Sequence, residues 1–385
     1  MEWASTVEAF DLARIKTVCE RDGICLIKGF FTPEEMTRIA TGMTAAAKTL
    51  GDPLPDPMKA ADLAWVPLHA QILEAARALL GDGLTYYLNG AVNYEPEIGA
   101  LTLSPYTALH VDAAGQPENL AAEVDRGAEV SFPAYRFAIY TQDYTNASGG
   151  LRVVPGSHRW TTDYDRSATD EFTMIRLPPP SQPEADPEDF LATAPTRPGD
   201  LVIWNLSLVH SAGSKRLKAD PERCLHPREE AELSKRDPDQ FLPPPGPRNA
   251  IFFDYGAPVQ ATDLYIKFGT QTRLHKRMPA FAIGDVGAKT RERLEADRII
   301  LREDGKIVSL SYEIEQIKTG TGDADRTRAV YEDLFARAQR HTEFSPHFSL
   351  FDREAFTTLA GQNWKHAAGY VQQQVMARIR QTNDL

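Results

Sequence analysis

His110, Val111 and Asp112 close the β-rich run LTLSPYTALHVD. On a strand, residues i and i+2 point to the same face, so an imidazole and a carboxylate would project side by side into one cavity. The spacing alone is weak evidence, because a surface hydrogen-bonded pair gives the same pattern. A third residue strengthens it. Of the nine histidines, only His110 and His210 fall in clear strand patterns of the β-rich zone. His210 ends the strong run DLVIWNLSLVH, which the turn Pro198-Gly199-Asp200 introduces. Two histidines and one carboxylate on one face of an octahedron are the set that holds iron(II) in oxygenases, with open positions for substrate and dioxygen.

The residues from about 84 to 260 must position this set. Short β-rich runs alternate there with turn residues: LTYYLNGAVNYEP, YRFAIYTQDY, LRVVPGS and NAIFFDYG among them. That spacing suggests a sandwich or barrel. Two stretches rich in proline and charge, 178–198 and 217–247, interrupt the runs and read as long surface loops. Ahead of the β zone, residues 7–22 show helical spacing and end at Gly23, and ICLIKGF follows as a strand. Thr32-Pro33-Glu34-Glu35 starts a second helix over 33–48, with Thr32 as N-cap. A third helix is expected over 67–80. Beyond 290, RIILREDGKIVSLSYEI suggests two strands joined at Asp304-Gly305. Residues 323–340 and 352–380 look helical, the latter with a stripe at Phe356, Leu359, Trp364, Ala368, Val371 and Val375. The expected division is a catalytic domain over 1–290 and a hairpin and helical extension over 291–385. That extension packs on the core, forms a homodimer contact, or acts as a lid over the mouth of the barrel together with the 217–247 loop.

Composition narrows the function classes. The 385 residues are 42% hydrophobic and 25% charged, as in soluble globular proteins. A formal net charge of -12 argues against general nucleic-acid binding, which needs a basic footprint. Three cysteines, Cys19, Cys25 and Cys224, make neither a zinc motif nor a disulfide framework and read as free thiols. The opening MEWASTVEAFDLARIK has early acids and no apolar run, so no secretory signal is expected. No window approaches the roughly 20 apolar residues of a membrane span. A cytoplasmic protein acting on a small molecule is the expectation.

The stretch Gly149-Gly150-Leu151-Arg152-Val153-Val154-Pro155-Gly156-Ser157-His158 resembles the signature turn of the phytanoyl-CoA dioxygenase family. Pro198-Gly199-Asp200-Leu201-Val202-Ile203-Trp204 leading to His210-Ser211 is similar to another of its motifs, and RDGICLIKGFFTPEEM to its opening strand and helix. These matches run in family order over roughly residues 7 to 260. The resemblance implies a mainly β fold with flanking helices, built on a double-stranded β-helix (a cupin-like jelly roll). It implies iron(II), with 2-oxoglutarate and dioxygen as co-substrates. By position, the family's metal ligands fall on His110, Asp112 and His210. The family also uses an arginine at the start of the strand after the second histidine to bind the distal carboxylate of 2-oxoglutarate. Here an insertion intervenes. Arg248, immediately before NAIFFDYG, has the family context; Arg216 is the alternative and Arg223 a distant third. A bidentate fork for a carboxylate is what arginine supplies and lysine does not.

Four aromatic or hydroxyl residues, Tyr106, Thr107, Tyr140 and Trp204, lie near the inferred site, although aromatics on core strands usually just pack. Arg136, in an otherwise apolar strand, either binds substrate or 2-oxoglutarate or makes a salt bridge. His158 reads as structural, and Cys224 and His226 as no second metal site. The resemblance implies hydroxylation of a C–H bond of a small metabolite, with release of succinate and carbon dioxide. Halogenation is disfavoured, because family halogenases replace the carboxylate that Asp112 retains. Two other classes stay open: a cupin-like zinc or manganese hydrolase or isomerase, and a jelly-roll protein that only binds.

Overall fold

Strands buried on both faces dominate the β-rich zone, which is why their sequences read as continuous apolar runs rather than alternating ones. The computed structural model describes residues 3–49, 56–99, 102, 109–110, 112, 132–159, 190–259, 262 and 286–302. They fall in one unit, residues 1–266 with 286–303. A second unit, 267–285 with 304–385, lies outside the described residues. With it lie the expected Asp304-Gly305 hairpin and the helices over 323–340 and 352–380.

In chain order the elements are β1 Thr6–Val7, α1 Leu12–Asp22, β2 Ile24–Ile27, α2 Pro33–Thr49, α3 Ala70–Leu80, β3 Leu84–Asn93, β4 Ala134–Tyr140, β5 Gly150–Val153, β6 Ala192–Thr193, β7 Leu201–Asn205, β8 His210–Ser214, α4 Pro227–Arg236, β9 Ala250–Gly256, α5 Ala288–Ala296 and β10 Ile299–Arg302. A seven-stranded sheet has the order β1-β2-β7-β4-β9-β3-β10, and a three-stranded sheet the order β6-β5-β8. The edge pairs β1·β2 and β10·β3 are parallel; the other pairs are antiparallel. Ile299–Arg302, expected in the extension beyond 290, is thus an edge strand of the main sheet.

Alternation along each strand splits the core in two. Cys25, Ile27, Phe137, Ile139, Leu201, Ile203, Ile251 and Phe253 face the helices, packing with Ile15, Val18, Ile39, Met43, Ile72 and Leu73. Their neighbours Ile24, Leu26, Ala138, Tyr140, Val202, Trp204 and Ala250 pack instead with Leu151 and Val153 of the small sheet. The result is a β sandwich with helices on its outer side. The period of two places every other residue of β4, β7 and β9 between the sheets.

α2 starts at Pro33 and α1 and α3 stop before Gly23 and Gly81 as expected, but α1 starts at Leu12 and not at 7, where Thr6–Val7 is a strand, and α3 starts at Ala70 and not at 67. The Asp11 side chain accepts from Arg14 N at 3.1 Å. Thr32 and Glu35 form a reciprocal capping box, with contacts of 3.2 and 2.9 Å. Gly23 closes α1 at φ 72°. A Cβ there would lie 2.3 Å from His158 Nδ1, so the site needs glycine for space as well as for φ. His158, as expected, is structural: it is buried, its Nε2 contacts Glu20 O at 3.2 Å, and burial lowers its pKa to about 4.

Two further expectations near the site differ from the structure. DLVIWNLSLVH is not one strand. β7 stops at Asn205 in the large sheet, and β8 begins at His210 in the small one. Asn205 makes the turn: its side chain accepts from Ser207 N (3.0 Å) and donates to Phe132 O (2.7 Å), and its carbonyl accepts from Leu208 N (2.9 Å). The stretch 217–247 is also more than a surface loop. It contains α4, with Pro227 in its first turn, and buries Leu225, Phe241 and Glu230.

Candidate metal and co-substrate site

His210 opens β8 and pairs with His110 in an antiparallel bridge, with N–H to O distances of 2.9 and 2.8 Å in the two directions. Residues directly opposite in such a pair project to the same side. The two imidazoles accordingly lie 4.4 Å apart between centroids. Asp112 lies in a turn rather than on the expected strand. The reason is the partner: two residues on, the antiparallel register would oppose Leu208, which belongs to the Asn205 turn. Asp112 nonetheless joins the histidines. Its Oδ2 is 3.5 Å from His210 Nε2, and its Oδ1 is 4.0 Å from His110 Nε2. One ligand atom from each of the three lies within 4.8 Å of the others.

The chemistry of this set fits a divalent metal. His210 Nδ1 is 2.9 Å from the Leu208 carbonyl, a contact that needs the proton on Nδ1 and leaves the Nε2 lone pair toward Asp112 and His110. Burial lowers the His210 pKa to about 4 against the pull of Asp112, so the ring is neutral and ready to ligate at pH 7.

Around this centre the inner face of the large sheet supplies the remaining groups. The Trp204 ring is 5.6 Å from the His210 ring and 6.3 Å from Phe252, which is 5.8 Å from Tyr140. Arg248 precedes β9, where Ala250 is the register partner of Tyr140. Its backbone N–H donates to Glu95 Oε2 (3.0 Å) and Thr102 Oγ1 (2.7 Å), which fixes the base of the side chain. The Arg248 charge stabilises the Tyr140 and Tyr144 phenolates, but burial dominates and raises both pKa values. Tyr140 Oη, Trp204 Nε1 and Arg248 Nε are among the buried side-chain atoms of the described residues that have no hydrogen-bond partner, as is Asp112 Oδ2 at the centre itself. Buried donors are rarely left so. Three of them along one face beside a metal-competent cluster suit a polar, anionic co-substrate.

The other candidates are placed differently. Arg216 is buried at the root of the insertion, with Nη1 on the Pro221 carbonyl at 2.7 Å, while its Nε, like that of Arg248, is buried without a hydrogen-bond partner among the described residues. Arg223 pairs with Glu229 at the surface. Arg136 reaches the centre, but through Asp112. Tyr106 and Thr107 lie outside the described residues. Sequence reasoning missed Asp254, a fully buried carboxylate in β9 that takes the Arg136 fork. A lone acid in the apolar run AIFFDYG was the available signal, since a buried charge needs a partner.

The family description "Phytanoyl-CoA dioxygenase (PhyH)" matches residues 19–217. The multifunctional dioxygenase prhA of Penicillium brasilianum is 24% identical over 229 residues, covering 54% of this chain and 68% of that protein. Multifunctional dioxygenase ausE of Aspergillus calidoustus is 23% identical over 226 residues, with the same coverage of both chains. Among solved structures, HygX from Streptomyces hygroscopicus with nickel and 2-oxoglutarate bound aligns at TM-score 0.41 and 16% identity, over 63% of this chain and 85% of that one. The 2-oxoglutarate-dependent epimerase SnoN from nogalamycin biosynthesis aligns at TM-score 0.40 and 20% identity, over 64% and 83%.

Proposed function

The chain belongs to the phytanoyl-CoA dioxygenase family, and from that premise we propose that it hydroxylates a C–H bond of a small-molecule metabolite, with its metal on His110, Asp112 and His210. It is a non-haem iron enzyme with 2-oxoglutarate and dioxygen as co-substrates. The observation that carries the site assignment is the meeting of those three side chains within 4.8 Å. Bound iron supplies the activation of dioxygen, and 2-oxoglutarate leaves as succinate and carbon dioxide. The residues of this chain bind, orient and shield. His210 presents Nε2 because Leu208 holds Nδ1–H. Arg248 meets the distal carboxylate of 2-oxoglutarate, with Tyr140 donating beside it. Trp204 and Phe252 wall the centre from water. The β sandwich is taken as the double-stranded β-helix of the family. Free Cys19, Cys25 and Cys224 suit a cytoplasmic enzyme. Residues 304–385 are taken as its extension, with a homodimer contact there as a reading that light scattering tests.

Arg248→Ala tests the co-substrate assignment. A charge-assisted contact contributes about 1.5–3 kcal/mol, so the apparent KM for 2-oxoglutarate is expected to rise about ten- to over a hundredfold. Arg216→Ala should change it little. Succinate release from 2-oxoglutarate across a panel of candidate metabolites reads both. The reverse order of effects would overturn the assignment of Arg248, and turnover without 2-oxoglutarate would overturn the proposed reaction.

A further inference from the structure

Asp112 is flanked by a guanidinium that is itself fixed, and the oxygen it meets, Oδ2, is also the one 3.5 Å from His210 Nε2. Arg136 Nη1 lies 3.0 Å from Asp112 Oδ2. The other two nitrogens of the same guanidinium, Nε and Nη2, donate to Asp254 Oδ1 and Oδ2 at 2.7 and 2.8 Å. The backbone makes this possible. Arg136 is the register partner of Asp254 on β9 and of Trp204 on β7, so all three project between the sheets from neighbouring strands. Side-chain exposure is 16% for Arg136, 9% for Asp112 and 0% for Asp254.

We propose that Arg136 is a positioning residue for the metal centre: it sets the orientation of the Asp112 carboxylate, and Asp254 exists to lock Arg136. The proposal rests on the assignment of His110, Asp112 and His210 as metal ligands. Three features support it. Asp112 lies in a turn, where a side-chain contact can supply the orientation that strand pairing supplies for His110. The fork is planar and rigid, so two hydrogen bonds to Asp254 fix where the third nitrogen, Nη1, stands against Asp112 Oδ2, a contact that is an ion pair and not an aligned hydrogen bond. Charge also balances. An arginine alone beside a ligand carboxylate would draw negative charge from the metal. Asp254 offsets the guanidinium, so Asp112 is oriented while the trio keeps a net negative charge for the cation. With Nε, Nη1 and Nη2 all engaged, Arg136 is not a second carboxylate receptor for 2-oxoglutarate.

Full-length protein and nickel(II), a redox-inert probe, test this by calorimetric titration. Arg136→Met alone strands the buried Asp254, so the double variant Arg136→Met/Asp254→Leu, which removes both charges, carries the test. Loss of an outer partner of a metal ligand typically weakens metal affinity 10- to 100-fold. That loss is expected here, with the thermal unfolding midpoint near that of wild type and with 2-oxoglutarate affinity of the nickel-loaded protein little changed. Arg136→Lys, which keeps the charge without the fork, should fall between wild type and the double variant. Nickel affinity equal to wild type in both variants would overturn the proposal. So would unchanged nickel affinity with a collapse in 2-oxoglutarate affinity, which would make Arg136 a co-substrate receptor. If wild-type protein itself failed to bind nickel, the ligand assignment would be the part that failed.

Discussion

Alanine at His110, Asp112 or His210 is expected to reduce 2-oxoglutarate-dependent turnover to background, with metal binding lost and the fold retained. Removing only an outer partner of a ligand costs 10- to 100-fold in metal affinity or activity. Deleting a ligand from a three-residue set must cost more than the upper end of that range. The fold should survive because the three side chains contribute to neither apolar cluster. The bridge between His110 and His210 is made by backbone groups that alanine keeps. Asp112→Ala carries one further consequence: Arg136 loses one contact but keeps the bidentate pair with Asp254, so its charge stays compensated. Nickel titration, succinate release and thermal unfolding measured together decide the matter. Full turnover in any of the three variants would remove that residue from the centre. Loss of turnover with an unfolded chain in all three would show instead that the cluster is structural.

How much of this was legible depends on whether the determining contact is local. The helix boundaries at Gly23, Thr32 and Glu35 were readable because caps act within a few residues, whereas the helical spacing from residue 7 sets the expected start of α1 ahead of its Asp11 cap. His110 and His210 could be singled out from residue type and strand pattern, though nothing in the spacing shows that they are register partners. The turn at Asn205 was hidden by its setting. Apolar residues on both sides gave one continuous run, and only the Asn205-Leu206-Ser207 step marks the crossing from one sheet to the other. Arg136 was visible as a charge in an apolar strand. Its partner could not be read, because register between β4 and β9 joins residues far apart in sequence. Arg248 was singled out by its position just before the strand that is β9; the buried donors on Tyr140 and Trp204 depend on which face each strand buries.

The insertion 217–247 shows the same limit from the other side, and it yields the second large effect. Proline and charge made it look like a surface loop. Local signals for α4 were nevertheless present: His226 as N-cap, Pro227 in the first turn, Glu229 and Glu230 at the start, Lys235 and Arg236 at the end. What ties the helix down is not local. Glu230 Oε2 pairs with Arg152 Nη2 of β5 and accepts the Lys215 N–H at 2.9 Å, and both side chains of the ion pair are almost wholly buried, at 0% and 1% exposure. Truncating one member of such a pair leaves a buried charge uncompensated, which typically costs 3–5 kcal/mol. Arg152→Ala is therefore expected to destabilise by about 3–5 kcal/mol in denaturant unfolding. The double variant Arg152→Met/Glu230→Gln should recover most of that loss. Desolvating two charges is itself costly, and Arg152 Nε is already buried without a hydrogen-bond partner among the described residues. The effect should also reach the centre. Arg152 Nη1 lies 3.3 Å from the hydroxyl of Ser211, the residue next to His210, and Val153 pairs with His210 itself. Loosening β5 against β8 should therefore weaken nickel affinity in Arg152→Ala, and the double variant should restore it in step with stability. A double variant as unstable as the single one would show that Arg152 acts through packing of its stem, not through the ion pair.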